Sequence, residues 1–379
     1  MRRLLVFVSV VVAVDTTFFT ALTPLLPHFA DKYDLSKAGA GAFLASYAAG
    51  TLVGALPAGL ATTRFGPKAT VLGGLTLMTA ASLGFGLAAD IWTLGASRLL
   101  QGVGSSFTWA GGLAWLIAST SRGRRGQVIG TAMGAAVFGA LLGPALGALA
   151  GATGTRAAFL GVGGAGVVLL AWAGVIAGVE PERQGFRRER IHDRSLLAGL
   201  WLILLPALLF GVLDVLVPLQ LHAHGWGAIA IGALFIAAAA VETALNPMLG
   251  RVADRFGPLR PARGALLGSI AVSAALAAAT HPAAIAPLVL AASIAYGAFY
   301  TPGLALISSG AEHSGLAQGL AFGLTNICWA VGALVGPAAG GALASAGGDS
   351  IPYLALAGLC IATYLATRAR GLEPVGDLP

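Results

Sequence analysis

Four charged side chains stand inside long apolar runs of this sequence: Asp15, Arg98, Asp214 and Glu242. Ionisable groups in such runs are costly and functional by default. The chemistry open to them is proton carriage. Burial and a neighbouring cation push a carboxyl's protonation in opposite directions, so a change in either can load or unload a proton. Asp15 is the only charged residue between Leu4 and Phe29. At about 1.5 Å per residue it lies roughly 16 Å along a helix begun at Leu4, near the midplane of a hydrocarbon core about 30 Å thick. A carboxylate there costs at least about 2.5 kcal/mol. Arg98 sits roughly 10 Å below the outer end of its own run, at a comparable depth. The two are expected to form an ion pair at direct or one-water distance, which offsets the burial cost of each. Such a pair is either a permanent structural bridge or a proton-coupling device. Glu242 falls in the inner half of its run. It either faces a cavity, where it titrates or meets a cationic substrate, or it is a protonated acid hydrogen-bonded near Asn246. Asp214 is nearer the outer surface, where a gate or solvated role ranks ahead of proton carriage.

The elements that must hold these groups follow from composition. The chain has 379 residues, of which 57% are hydrophobic and 10% charged, and its mean hydropathy is +0.85. Soluble proteins carry about 25% charged residues. The expected class is therefore an all-α integral membrane protein whose solvent is lipid. Apolar runs fall at about 4–29, 37–61, 68–88, 91–117, 126–150, 157–179, 196–222, 227–249, 263–280, 284–308, 315–345 and 351–367, which makes twelve transmembrane helices, here spans 1 to 12. The first run is too long for a signal-peptide core and reads as a retained helix. The 55 glycines fit helices that pack closely in a bilayer.

Of the 22 Lys and Arg residues, Lys32, Lys37 and Arg156 fall outside under alternate loop numbering and Arg98 lies within a span, which leaves 18 inside. This asymmetry predicts cytoplasmic N- and C-termini in a cell (inner or plasma) membrane. The net charge of +7 is spread over short loops with no basic stripe, so nucleic acid is not an expected partner. Cys328 and Cys360 fall in apolar runs and read as small buried groups. No metal site, cofactor or nucleotide-binding loop is expected. An enzyme would need a catalytic cluster at one depth, and none is visible.

The polar stretch "EPERQGFRRERIHDRS", 180–195, divides the chain into 1–179 and 196–379, each with six spans. The halves resemble each other. "GQVIGTAMGAAVFGALLGPALG" from Gly126 aligns with "GLAFGLTNICWAVGALVGPAAG" from Gly319, and "RFGP" occurs at 64–67 and again at 255–258. A six-plus-six duplication predicts two similar bundles that rock about a central site. Asp15 and Arg98 are expected to face the space between the halves. Spans 5 and 11 are expected to press their glycine faces on a helix of the opposite half.

At these residues the chain resembles the major facilitator superfamily (MFS) over its whole length, most like its twelve-helix drug:proton antiporter group. "GLATTRFGPK" at 59–68 resembles the family's loop between helices 2 and 3, with Gly59, Arg64, Gly66 and Lys68 matching and Thr63 in place of the usual acid. The second copy, "GRVADRFGP" at 250–258, has Gly250, Asp254, Arg255 and Gly257. The resemblance implies that this loop clamps neighbouring helices in the outward-open state. The first clamp is then either weaker or rests on Arg64 alone. "RLLQGVG" at 98–104 resembles a motif whose arginine serves proton coupling. "GALLGPALG", with Gly139, Gly143 and Pro144, resembles the helix 5 motif of proton-driven exporters. It recurs around Gly336 and Pro337, which shows packing use as well. The implied architecture is two pseudo-symmetric six-helix bundles.

Phe19, Tyr47, Gln101, Trp109, Asn246, Asn326 and Trp329 are expected to line the substrate cavity, with Phe18, Phe299 and Tyr300 as further candidates. Aromatics with few fixed polar groups suit amphipathic or cationic organic solutes. The leading expectation is a secondary transporter, not an enzyme, that exports small organic or drug-like molecules in exchange for protons by alternating access. Its partners are a small-molecule substrate, protons and the lipid bilayer, and it is expected to be a monomer. A facilitator or importer of sugars or organic acids would need more amides or a second buried cation. A membrane sensor without turnover is the third alternative.

Overall fold

The structure is a computed structural model and describes residues 2–121, 125–178, 193–316 and 318–369. The described chain is helical throughout. In hydrocarbon every backbone N–H and C=O must find a partner within its own segment, and a helix provides one. The elements are α1 (Arg2–Ala21), a 3-10 turn (Thr23–Leu25), α2 (Leu26–Lys32), α3 (Lys37–Phe65), α4 (Pro67–Leu87), α5 (Ile91–Ala118), α6 (Arg125–Thr153), α7 (Thr155–Val175), α8 (Arg194–Ala223), α9 (Ala228–Phe256), α10 (Leu259–Ala278), α11 (Pro282–Gly297), α12 (Tyr300–Ser314), α13 (Gln318–Gly347) and α14 (Ser350–Ala369).

Each of the twelve expected spans has its counterpart, and spans 1 and 10 are broken. Span 1 breaks after Ala21, where Pro24 and Pro27 supply no N–H. Span 10 breaks at Ala298 and Phe299, because Pro302 can neither bond the Ala298 carbonyl nor pass it without a clash. Eleven segments are long and apolar enough to cross a membrane. The span outside that set is α5, which is 28 residues long but carries Arg98, Gln101, Ser105, Ser106 and Thr108.

The chain forms two compact units. The first comprises residues 1–35, 43–187 and 227–236, and the second 36–42, 188–226 and 237–379. The same packing pairs recur inside each. In the first unit α1 lies on α6 and α4 lies on α5 and α7; in the second α8 lies on α13 and α10 lies on α11 and α14. The glycine faces of spans 5 and 11 explain the first of these pairs. A methyl group on Gly139, Gly143 or Gly147 would collide with Ala13, Thr20 or Ala21 of α1. One on Gly332, Gly336 or Gly340 would collide with Leu204, Leu208 or Val212 of α8. Most of each face is thus spent on a helix of its own half, while Gly151 of α6 meets Ala228 of α9 and Gly341 of α13 meets Lys37 and Gly41 of α3, the expected contact with the opposite half. Across the first, Thr16, Thr17 and Thr20 donate to the carbonyls of Ala136 (2.9 Å), Gly139 (3.0 Å) and Ala140 (3.1 Å). In the second, Gly211 leaves room for the ring of Pro337.

Basic side chains close helix ends in both units. The last carbonyls of a helix lack intrahelical donors and carry partial negative charge. Lys68 Nζ donates to Gly174 O (3.0 Å) and Ile176 O (2.6 Å) at the end of α7. Arg263 donates to Thr367 O (3.0 Å) near the end of α14. In the loop motif, Gly66 (φ 87°) and Gly257 (φ 77°) both occupy the left-handed region, so each "RFGP" turns the chain with a residue that has no Cβ to clash. Gly59 has open space around its Cα, and Arg64 and Arg255 lie over the rings of Phe65 and Phe256. The tie that this loop makes thus runs through Lys68. The surroundings of Gly250 and the side chain of Asp254 lie outside the described residues. In the second unit Lys37, in the first turn of α3, pairs with Asp349, which also accepts a bond from Gln220 of α8 (3.1 Å).

Candidate functional site

Asp15 occupies α1 with 1% of its surface exposed, so its carboxylate must be satisfied by protein. Three donors meet it. Tyr47 on α3 donates its hydroxyl to Oδ1 (2.6 Å). Ser105 and Trp109, one turn apart on α5, donate to Oδ2 at 2.7 and 2.6 Å. Hydrogen bonds to a charged acceptor are the strong ones, worth about 1.5–3 kcal/mol each. They offset the burial cost that an isolated carboxylate would carry.

Arg98 is fully buried on the same face of α5. The expected direct ion pair with Asp15 is not formed. Its Nη1 donates to Phe18 O (3.1 Å) and Gln101 Oε1 (3.3 Å), and its Nη2 to Phe19 O (3.3 Å). Phe18 and Phe19 lie in the last turn of α1, just before the break at Pro24, where carbonyls carry partial negative charge. Arg98 therefore closes α1 as Lys68 closes α7. It stays within electrostatic reach of Asp15, and Tyr47 bridges the two: its ring face receives the guanidinium at 4.8 Å while its hydroxyl bonds the carboxylate. Behind Arg98, Gln101 donates to Ser82 Oγ on α4 (3.4 Å), and the Phe19 ring packs on Tyr47 with centroids 5.1 Å apart.

The acids of the second unit are held differently. Asp214 (α8) and Glu242 (α9) are half-buried. Among the described residues neither carboxyl has a hydrogen-bond donor. The Glu242 carboxyl packs on Gly297, where an added methyl would sit 2.6 Å from its Cδ. One turn beyond the break, Tyr300 is hydrogen-bonded to Trp329 of α13 and lies within electrostatic reach of both Glu242 and Asp214. Phe299 is buried, Asn326 is exposed one turn before Trp329, and the side chain of Asn246 lies outside the described residues.

Tyr47, Gln101, Trp109 and Phe19, which the sequence assigns to a cavity wall, are thus brought together around Asp15 and Arg98. Ser105, Ser82 and Gly297 were missed. Positions 98, 101, 105 and 109 repeat at helical spacing and mark one polar face of α5, which is a signal that could have found Ser105. No group of three or more His, Cys, Asp or Glu with metal-binding geometry occurs among the described residues.

The model of the Major Facilitator Superfamily matches residues 8–327, and the chain belongs to that superfamily. The MFS-type transporter ppzB of Metarhizium rileyi (strain RCEF 4871) is 31% identical over 122 residues, which is 31% of this chain and 25% of that protein. The protein of the same name from Metarhizium majus (strain ARSEF 297) is 34% identical over 89 residues, 24% of this chain and 20% of the relative. The match spans a quarter or less of the length of these relatives. Solved structures agree over nearly all of both chains. A bacterial homolog of the human lysosomal transporter Spinster superposes with a TM-score of 0.77 at 13% identity, covering 96% of each chain. A D-xylose-proton symporter gives 0.73 at 15% identity, covering 96% of this chain and 95% of its own. The human organic anion transporter MFSD10 (TETRAN) gives 0.72 at 17%, covering 96% and 98%. At these identities the likeness shows the fold, that of an MFS transporter: an all-α, multi-pass membrane protein.

Proposed function

We propose that the protein exports small organic molecules in exchange for protons by alternating access, and that Asp15 carries the proton. The observation that carries this reading is the donor set on Asp15. Trp109 can only donate, and Tyr47 and Ser105 can donate or accept. With all three donating, the group at the centre is a carboxylate. A proton arriving on Asp15 forces Tyr47 or Ser105 to turn its hydroxyl and accept. That change acts on the contacts that bind α1 to α3 and α5, and through the Tyr47 ring on the arginine that closes α1. Protonation is thereby converted into altered helix packing, which is what coupling requires. The Lys and Arg asymmetry supports a cell-membrane location with both termini cytoplasmic, and the protein works as a monomer, each unit being one of its two moving bundles.

The test is transport in proteoliposomes with an imposed pH gradient, screened against lipophilic cations, sugars and carboxylates. Asp15→Asn keeps size and removes titration. Gradient-driven transport is expected to collapse while substrate binding survives. If Asp15 is only structural, Asp15→Asn destabilises the protein, and the folded fraction that remains keeps proton-driven transport. Full proton-driven transport by a well-folded Asp15→Asn protein overturns the assignment.

A further inference from the structure

We infer that Thr79 and Ser82 of α4 hold one buried water in a cavity of the first unit, as the far end of the hydrogen-bond chain that starts at Arg98. The cavity lies between α1, α4 and α7 and has a volume of about 20 Å³. A water needs about 10–15 Å³ or more on this measure, so there is room for one. Thr79 is on its wall, 7% exposed, and its hydroxyl has no hydrogen-bond partner among the described residues. A threonine in a helix can always turn its hydroxyl to the carbonyl four residues before it. Thr70, Thr76 and Ser82 of the same helix do so, bonding Gly66 O (2.9 Å), Leu72 O (2.8 Å) and Met78 O (2.7 Å). Thr79 instead points at Gly166 on the α7 wall, where an added methyl would collide with its Oγ1. A buried hydroxyl left without a partner is costly, and a polar molecule in the cavity removes that cost.

Ser82 supplies the second partner. It lines the same cavity three residues further on, and side chains at that spacing share a helix face with Cβ atoms about 5–6 Å apart. One water spans such a gap with two hydrogen bonds of about 2.8 Å. The donors and acceptors balance. Ser82 gives its proton to Met78 O and one lone pair to Gln101 Nε2 (3.4 Å), which leaves one lone pair. A water that donates to this lone pair can accept from the Thr79 hydroxyl, and every group is then served. An apolar occupant would serve neither hydroxyl. The result is a continuous chain from Arg98 through Gln101 and Ser82 to the water and Thr79. It carries the polar surroundings of the buried arginine from α5 across α4 to the face that meets α7.

The experiment is X-ray radiolysis of the purified full chain in detergent, with oxidation mapped by mass spectrometry. Radiolysis turns a bound water into a hydroxyl radical in place, and the radical attacks the nearest reactive side chain. Met78 is on the cavity wall, only 6% exposed, and its sulfur is readily oxidised. Met78 is expected to be oxidised in the wild type and in Thr79→Ser, which keeps the hydroxyl. Thr79→Val and Gly166→Ala should slow it severalfold, the first by removing a partner and the second by filling the space. Met248, 53% exposed, should react alike in all four. Stability gives a second readout of opposite sign for the two cases. Replacing a dry, unpaired hydroxyl by a methyl raises the thermal midpoint, whereas replacing a hydrated one lowers it. If neither variant folds, the wild type decides: a water-soluble radical scavenger should leave Met78 oxidation unchanged, because its radicals arise inside. A Met78 that is not oxidised, or is protected by the scavenger, overturns the proposal. So does oxidation unchanged in a folded Thr79→Val or Gly166→Ala, or a raised midpoint in Thr79→Val. None of these readouts needs a substrate or a gradient, so they stand or fall apart from the role of Asp15.

Discussion

Asp15 and Glu242 are both carboxyl groups set into membrane helices, and their surroundings are opposite. Asp15 accepts from three donors on two other helices and has almost no open surface. Glu242 accepts from no described donor, is half-buried and packs its carboxyl on Gly297. The first arrangement is complete without a visitor, and only a proton is small enough to disturb it. The second has no donor set to disturb. The contrast sets the two units apart. It is made by local chemistry on a repeated frame, because the packing pairs of the two units correspond.

The sharpest way to break this contrast is to remove the cation of the first site. Arg98→Met removes the guanidinium bonds to the Phe18 and Phe19 carbonyls and the cation near Asp15, so a loss of about 3–5 kcal/mol is expected. Thermal unfolding in detergent should show it as a large drop in midpoint. If Arg98 were dispensable to folding, its role as the cap of α1 would fail. Next come the glycines, which test the repeated frame. Gly143→Val and Gly336→Val force a branched side chain onto α1 and α8 respectively, and each should cost about 1–3 kcal/mol or more. Equal losses would confirm that the frame is shared, whereas a loss at one position alone would break the correspondence. Gly130, with open space around it, is the control, and Gly130→Ala should be neutral or stabilising by up to about 1 kcal/mol.

Tyr47→Phe comes third. It keeps the ring under Arg98 and deletes one donor to Asp15, at an expected cost of about 1–2 kcal/mol. Proton-driven transport should fall more than substrate binding does. An unchanged ratio of the two would show that the hydroxyl is a packing contact only. The smallest effect is expected at Lys37 and Asp349, whose side chains are 38% and 25% exposed. Lys37→Ala should change stability by about 0.2–1 kcal/mol, with the difference vanishing at high salt.

Much of the frame was legible in the sequence. Each of the twelve spans has its helix, since a period of about twenty apolar residues has few other meanings in lipid. The breaks in spans 1 and 10 were not read, because hydropathy is blind to a missing N–H. Pro24, Pro27 and Pro302 marked them, while Pro144 and Pro337 sit in helices that run straight through. Depth placed Asp15 and Arg98 at one level, but depth says nothing of rotation about a helix axis. The aromatic residue that joins them came from a third helix, 32 residues from Asp15. The glycine faces were recognised as packing surfaces, and their larger partner in the same half was missed for a related reason: a small-residue stripe shows that something packs there, not what packs. Thr16, Thr17 and Thr20 opposite Gly139 and Gly143 were the clue to the partner, since hydroxyls in lipid seek carbonyls.

The three donors of Asp15 also bear on how the protein is made. Tyr47, Ser105 and Trp109 follow it by 32, 90 and 94 residues. A ribosome adding about 5–20 residues per second needs on the order of 5–20 s to deliver the last of them. Through that interval the first helix meets the membrane with its acid unaided. An aspartate at a helix centre opposes insertion by about 2.5–3.5 kcal/mol, and each Val, Leu or Phe favours it by about 0.3–0.6 kcal/mol. The valines and leucines that precede Asp15 in α1 are therefore ballast for the nascent chain. Polar substitution of an outward-facing one such as Val6, 46% exposed, would lower the yield of inserted protein while leaving the finished molecule as stable as before.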